Sequence, residues 1–150
     1  MQVSELFSQD RVAVGCHLSG KAEALGALSK LLAGEPGPPA QEIEDALGER
    51  ERLASTGVGS GVAIPHGRVP GLETVRVAVM TCPEGVEFGS VDGEPVRILV
   101  GILAPQRRPS EHLKVLARVS RMLREQGTRA ELIASQDPVE LIALLRTAAS

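Results

Sequence analysis

At 150 residues the chain is long enough to bury a core without a disulfide or a metal, and one domain over residues 1–150 is expected. Hydrophobic residues make up 43% and aromatic residues 1%, with no Trp or Tyr and two Phe (Phe7 and Phe88), so the core must be aliphatic and base stacking has almost nothing to use. The formal charge of −3 comes from 16 basic and 19 acidic side chains spread along the chain; this supplies no basic tail, and no nucleic-acid partner is expected. The N-terminus carries Glu5 and Asp10 and no apolar run of signal length, and the longest apolar stretches fall short of a membrane span, so a cytoplasmic chain not embedded in a membrane is expected. Cys16 and Cys82 make neither a disulfide framework nor a metal-ligand cluster and are expected as half-buried thiols in a reducing compartment.

In chain order, Met1 to Asp10 is a polar leader with apolar contacts at Leu6 and Phe7. Val12 to Leu18 alternates as a strand does, and Ser19 is placed to cap a helix carrying Leu25, Leu28, Leu31 and Leu32 that ends at Gly34. A Pro- and Gly-rich turn over residues 34–39 precedes a second helix, Ala40 to Leu53, whose apolar stripe holds Ile43 and Leu47. At about 100° per residue, Arg50 returns to the direction of Ile43, whereas Arg52 points to solvent. A cation on an apolar stripe is costly without an anionic partner, so Arg50 is either snorkelling at the helix end or aimed at whatever the next segment binds.

Beyond the stretch Ser55 to Arg68, Leu72 to Thr81 reads as a strand with one polar face, Gly85 to Glu94 as a turn-rich connection, and Pro95 to Ala104 as a central strand covered on both faces. Pro105 to Pro109, with Arg107 and Arg108, breaks it. Ser110 is placed to cap a long helix to about Glu125, with an apolar side from Leu113, Leu116, Val119 and Leu123. Thr128 and Glu131 have capping-box spacing for a short helix, and Asp137, Pro138 and Glu140 mark the start of the last one. Strands separated by helices predict an α/β layered sandwich, a small mixed β-sheet flanked by helices.

The stretch STGVGSGVAIPHGR, from Ser55 to Arg68, packs four glycines, a Pro-His pair and an Arg into fourteen positions. A Walker-type phosphate loop lacks its Lys here, and a dinucleotide fingerprint would need glycine at Val62. The three histidines, His17, His66 and His112, are far apart in sequence with no clustered carboxylate, so no metal is expected. What remains is one histidine held by Pro65 with room left by Gly67. Neutral imidazole has one nucleophilic nitrogen, glycine-rich backbone offers amides to phosphoryl oxygens, and Arg50 could neutralise their charge. On spacing alone, a packed or surface histidine competes with that reading.

Arg50-Glu-Arg-Leu-Ala-Ser-Thr56, followed by Gly57-Val-Gly-Ser-Gly-Val-Ala-Ile-Pro-His-Gly67, closely resembles the signature of the enzyme IIA domains of the fructose, mannitol and nitrogen class in the bacterial phosphoenolpyruvate-dependent phosphotransferase system. The resemblance implies that His66 accepts a phosphoryl group on Nε2 from phospho-HPr or a paralogue and passes it to an enzyme IIB, or holds it as a signal to a regulatory target protein. It places the family's second histidine at His112, in Ser110-Glu-His-Leu, within a first helical turn that favours an anion. Arg50 falls on the family's arginine, and Thr56, Gly57 and Ser60 are expected to cradle phosphate oxygens. No cofactor is implied beyond the phosphoryl group that enzyme I and HPr draw from phosphoenolpyruvate. The mannitol branch carries an acid six positions before the active histidine; Ser60 stands there, leaving a fructose-type transporter as the first expectation and a nitrogen-regulatory binding module as the alternative. An apolar ring for the donor protein is expected from Ile64 and Val69.

Overall fold

The computed structural model describes residues 2–107 and 109–150; Met1 and Arg108, both within the sequence expectations, lie outside them. After two short 3-10 turns the elements run β1 (Val12–Ala13), α1 (Lys21–Leu32), α2 (Ala40–Leu53), β2 (Gly57–Gly59), β3 (Val62–Ala63), β4 (His66–Val69), β5 (Arg76–Val86), β6 (Val96–Pro105), α3 (Pro109–Met122), α4 (Gln126–Ala134) and α5 (Pro138–Ala149). The sheet has six strands in the order β1-β5-β6-β3-β2, with β4 also beside β6. β5 and β6 pair antiparallel, as do β2 and β3, whereas β3 and β4 run parallel to β6 and β1 parallel to β5. The expected mixed sheet between helical layers is present.

Strand β6 is the axis of the molecule. Its side chains alternate between two apolar layers, as the pleat requires. Ile98, Val100 and Ile102 enter the layer of Val115, Val119, Leu132 and Leu145 from α3, α4 and α5. Leu99 and Leu103 enter the layer of Leu28, Leu32, Ile43 and Leu47 from α1 and α2. Gly101 lets α1 come close, since a Cβ there would lie 2.8 Å from the Leu28 side chain. Two arginines tie the end of α1 down. Arg11 donates to the carbonyls of Leu31, Leu32 and Ala33, and Arg76 to those of Leu32, Gly34 and Pro36, pairing carbonyls that a helix end leaves open. Asp137 caps α5, accepting the Glu140 amide at 2.9 Å, as its sequence signature requires.

Several expectations shift. Only Val12 and Ala13 pair as strand, because Gly15 takes a φ of +67° and turns the chain. Gly20, not Ser19, flanks α1; the Ser19 hydroxyl donates to Glu23 instead. Strand β5 starts at Arg76 rather than Leu72 and is covered on both sides, with Val77 and Val79 in one layer and Ala78 and Met80 in the other. Helix α3 already contains Ser110 and buries His112, Val115, Val119 and Met122, so the expected apolar side is rotated and Leu113 is 65% exposed. Thr128 lies inside α4 rather than at its start.

Candidate functional site

The glycine stretch folds as a hairpin followed by a strand. Ser60 (φ +58°) and Gly61 (φ +78°) form the turn between β2 and β3, where two left-handed residues match the twist of the flanking strands. Gly57 sits against Ser90, and a Cβ at Gly57 would fall 2.3 Å from the Ser90 hydroxyl. The chain then enters β4 alongside the far half of β6. The Ile102 amide donates to Pro65 O at 3.0 Å, and His66 lies in register with Ile102. His66 and Arg68, two residues apart on a strand, project to one side.

That side opens on a cleft of about 590 Å³, walled by α2 with Glu49, Arg50 and Leu53, by β4 with His66 and Arg68, and by the start of α3 with His112 and Leu113. The two imidazoles meet edge to face, with centroids 5.3 Å apart and planes at 86°. His66 Nδ1 lies 2.8 Å from Ile64 O; a carbonyl only accepts, so Nδ1 carries the proton and Nε2 keeps the lone pair. His112 is buried at 8% exposure, and its Nδ1 has no hydrogen-bond partner among the described residues. Arg50 is anchored through Nη1 on Ala54 O at 3.0 Å.

Burial, helped by nearby positive charge, favours neutral imidazoles in the cleft. Burial lowers the His66 pKa most and Arg50 lowers it further, against the raising effects of the Ile64 carbonyl and Glu51. For His112, burial again leads, followed by His66 and Arg68. Beneath the site, Glu51 is buried at 8% exposure and accepts the Thr56 amide at 3.0 Å, the Thr56 hydroxyl at 2.5 Å and an ion pair from Lys21 at 2.9 Å. Burial alone would raise that carboxyl, but its bonds to the Thr56 hydroxyl, Lys21 and the Thr56 amide together hold it below its ordinary value.

The structure therefore brings His66, His112 and Arg50 to one cleft, and does not bring Thr56, Gly57 or Ser60 to its wall. Thr56 is 3% exposed with both polar groups on Glu51. The Gly57 amide donates to Ser55 Oγ, and the Ser60 amide donates to Asp92 at 2.9 Å on the hairpin tip. The expected apolar ring is corrected too. Ile64 and Val69 are 3% and 1% exposed core residues, whereas Leu53 and Leu113 stand out at the rim, 81% and 65% exposed. Sequence reasoning missed Arg68, although the two-residue repeat of a strand would have aligned it with His66. Glu51 carries no such signal, because its partners Lys21 and Thr56 meet it only in the fold.

Residues 5–148 match the family model described as phosphoenolpyruvate-dependent sugar phosphotransferase system, EIIA 2. The chain belongs to this EIIA type 2 family. Among EIIA-type relatives, a nitrogen regulatory protein of Bradyrhizobium diazoefficiens is 34% identical over 145 residues, covering 97% of this chain and 95% of that protein. A fructose-specific EIIA component of the phosphotransferase system from Haloferax volcanii is 37% identical over 92 residues, covering 61% of this chain and 60% of that one. The solved nitrogen regulatory protein IIA-Ntr from Neisseria meningitidis superposes with a TM-score of 0.90 at 29% identity, over 97% of this chain and 99% of that one. Among the described residues of this EIIA-type chain, no group of three His, Cys, Asp or Glu side chains could hold a metal ion, and no helix is long and apolar enough to cross a membrane.

Proposed function

We propose that His66 accepts a phosphoryl group at Nε2 from a phosphohistidine of HPr or a paralogue. The observation that carries this is the Nδ1 bond to Ile64 O, which leaves Nε2 as the free nitrogen in a cleft shared with His112, Arg50 and Arg68. The Nε2 lone pair attacks phosphorus, the donor's N–P bond breaks, and the donor imidazole leaves with that electron pair. The His66 proton stays on Nδ1 throughout. Arg50 and the edge of His112 face the charge that the phosphoryl oxygens bring, so catalysis is positioning plus electrostatic stabilisation, with no cofactor beyond the phosphoryl group itself.

For the branch, we infer a nitrogen-regulatory role, in which phosphorylated and free forms differ in how they bind a target protein. Its support is the near full-length similarity to nitrogen regulatory proteins in both sequence and fold. A fructose-type phosphocarrier passing the group to an enzyme IIB is the second reading, supported by the fructose-specific relative. The test uses radiolabelled phosphoenolpyruvate with enzyme I and HPr. The wild type is labelled on an acid-labile phosphohistidine whose phosphorus NMR shift is that of Nε2, and His66→Ala is not. Label on His66→Ala, or on Nδ1, overturns the mechanism. Onward transfer to an enzyme IIB would select the transport branch.

A further inference from the structure

Segments 15–17 and 81–84 lie side by side away from the histidine cleft. The Gly15 amide donates to Thr81 Oγ1 at 3.1 Å, the Cys16 amide donates to Thr81 O at 2.8 Å, and His17 Nδ1 is 3.4 Å from Glu84 Oε2. Because Cys16 N is bonded to the carbonyl just before Cys82, standard bond lengths hold the two α-carbons within roughly 7 Å. That is near the upper end of the range of about 4.4–6.8 Å that a disulfide spans. Each thiol is near enough to the other to shift its titration, and both are free. Cys82 is buried at 1% exposure, whereas Cys16 is half-buried and lines an open cleft of about 610 Å³ against α1.

We propose that this pair is a site of reversible thiol oxidation, with Cys16 attacking a peroxide and Cys82 resolving the product to an intramolecular disulfide. The two cysteines divide the labour by environment. The hydrogen bond from Cys82 lowers the Cys16 thiol to about 7 against the effect of burial, and His17 assists. The same bond, then burial, then the charge of Cys16 push the Cys82 thiol up. Cys16 is thus the more accessible and more readily ionised thiol, and Cys82 the one that keeps its proton.

With hydrogen peroxide, the Cys16 sulfur attacks one oxygen, the O–O bond breaks, and the leaving hydroxide is protonated to water, so sulfur is oxidised to a sulfenic acid and peroxide reduced. Oxidation removes the negative charge and the acceptor on Cys16, two of the three causes that hold the Cys82 proton. The Cys82 sulfur then attacks the Cys16 sulfur, the S–O bond breaks, and the departing hydroxide takes the Cys82 proton as water. A dithiol reverses the bond by exchange. The proposal is independent of the reading of His66.

The experiment treats the full chain with stoichiometric hydrogen peroxide, counts thiols after denaturation, and maps tryptic peptides without reduction. Thiols are expected to fall from two per chain to none and to return with dithiothreitol, since the chain has two cysteines. Peptides 12–21 and 77–97 should appear linked and lighter by two hydrogens than their sum. Cys82→Ala should accumulate a dimedone-reactive Cys16, and Cys16→Ser should resist the same dose. Over-oxidised Cys16 beside a free Cys82 thiol, or a disulfide joining two copies through Cys16, overturns the proposal. The linked-peptide map of the wild type decides the matter even if a variant does not fold.

Discussion

Thr56→Val separates two roles for one hydroxyl. The sequence resemblance gives Thr56 to the phosphoryl oxygens, whereas the fold gives it to the buried Glu51 carboxylate, 2.5 Å away. Valine keeps the shape and the amide bond to Glu51 but removes the hydroxyl donor. A hydrogen bond to a charged group contributes about 1.5–3 kcal/mol, and the methyl that replaces the hydroxyl returns up to about 0.8 kcal/mol, leaving a net loss of about 1–2 kcal/mol. With an unfolding entropy of about 2.1 cal/mol/K per residue, the melting midpoint should fall by about 3–6 °C. The Glu51 pKa is depressed in the folded chain, so its contribution is present above the unfolded carboxyl value and lost as pH falls through the folded one. The stability gap between variant and wild type should therefore be full at pH 7 and close on the acid side of 4.5, the ordinary value of the group. Calorimetry across pH reads the stability and HPr-dependent labelling reads the function. Labelling slowed more than about tenfold with an unchanged melting midpoint would refute the structural role, since removing one transition-state donor costs that much or more.

Because both histidines are held below the ordinary imidazole value, the unfolded chain binds more protons just below about pH 6.5, so stability should decline from there and level off beneath the folded pKa values. NMR titration of the ring C–H signals should give both midpoints below 6.5, rising for His66 in Arg50→Gln and for His112 in Arg68→Gln; a midpoint at or above 6.5 in the wild type counts against the electrostatic reading. Leu53→Ser and Leu113→Ser, at the exposed rim, should change stability by less than about 0.5 kcal/mol while raising KM for phospho-HPr several-fold, and an unchanged KM would remove them from the docking surface. Gly101→Ala should cost about 1–3 kcal/mol by denaturant unfolding, with Leu28→Ala in the same chain recovering part of it, because the new methyl strikes that leucine.

The layers and most helices were legible because local signals and burial agreed. The apolar run of β6 is covered on both faces, and Asp137 with Pro138 starts α5 where its capping pattern places it. The Pro-His pair among glycines and the helical angle of Arg50 each left a bland reading open, and only the family resemblance singled out His66 and Arg50 in the sequence; the fold places both on one cleft. The register of α3 was misjudged because His112 counts as polar in a sequence pattern, yet the fold buries it with Val115 and Val119. The glycines looked like a phosphate cradle, but Gly61 makes a hairpin and Gly57 clears Ser90, neither of which a one-dimensional pattern distinguishes. Long-range pairings such as Lys21 with Glu51, or Cys16 with Cys82, leave no trace in local sequence at all.

Strand β6 contributes no side chain to the histidine cleft, yet it sets the gauge of that cleft. Its Ile102 amide holds the peptide just before His66, and its C-terminal end at Pro105 leads through a short connection into the helix that carries His112. The two imidazoles are thus like jaws mounted on one rail, His66 through the pairing of β4 with β6 and His112 through the packing of α3 against the same strand. Evolution or engineering could therefore redraw the rim, and with it the choice of docking protein, while leaving the jaw spacing untouched. The part that resists redesign is an aliphatic strand in the middle of the sheet.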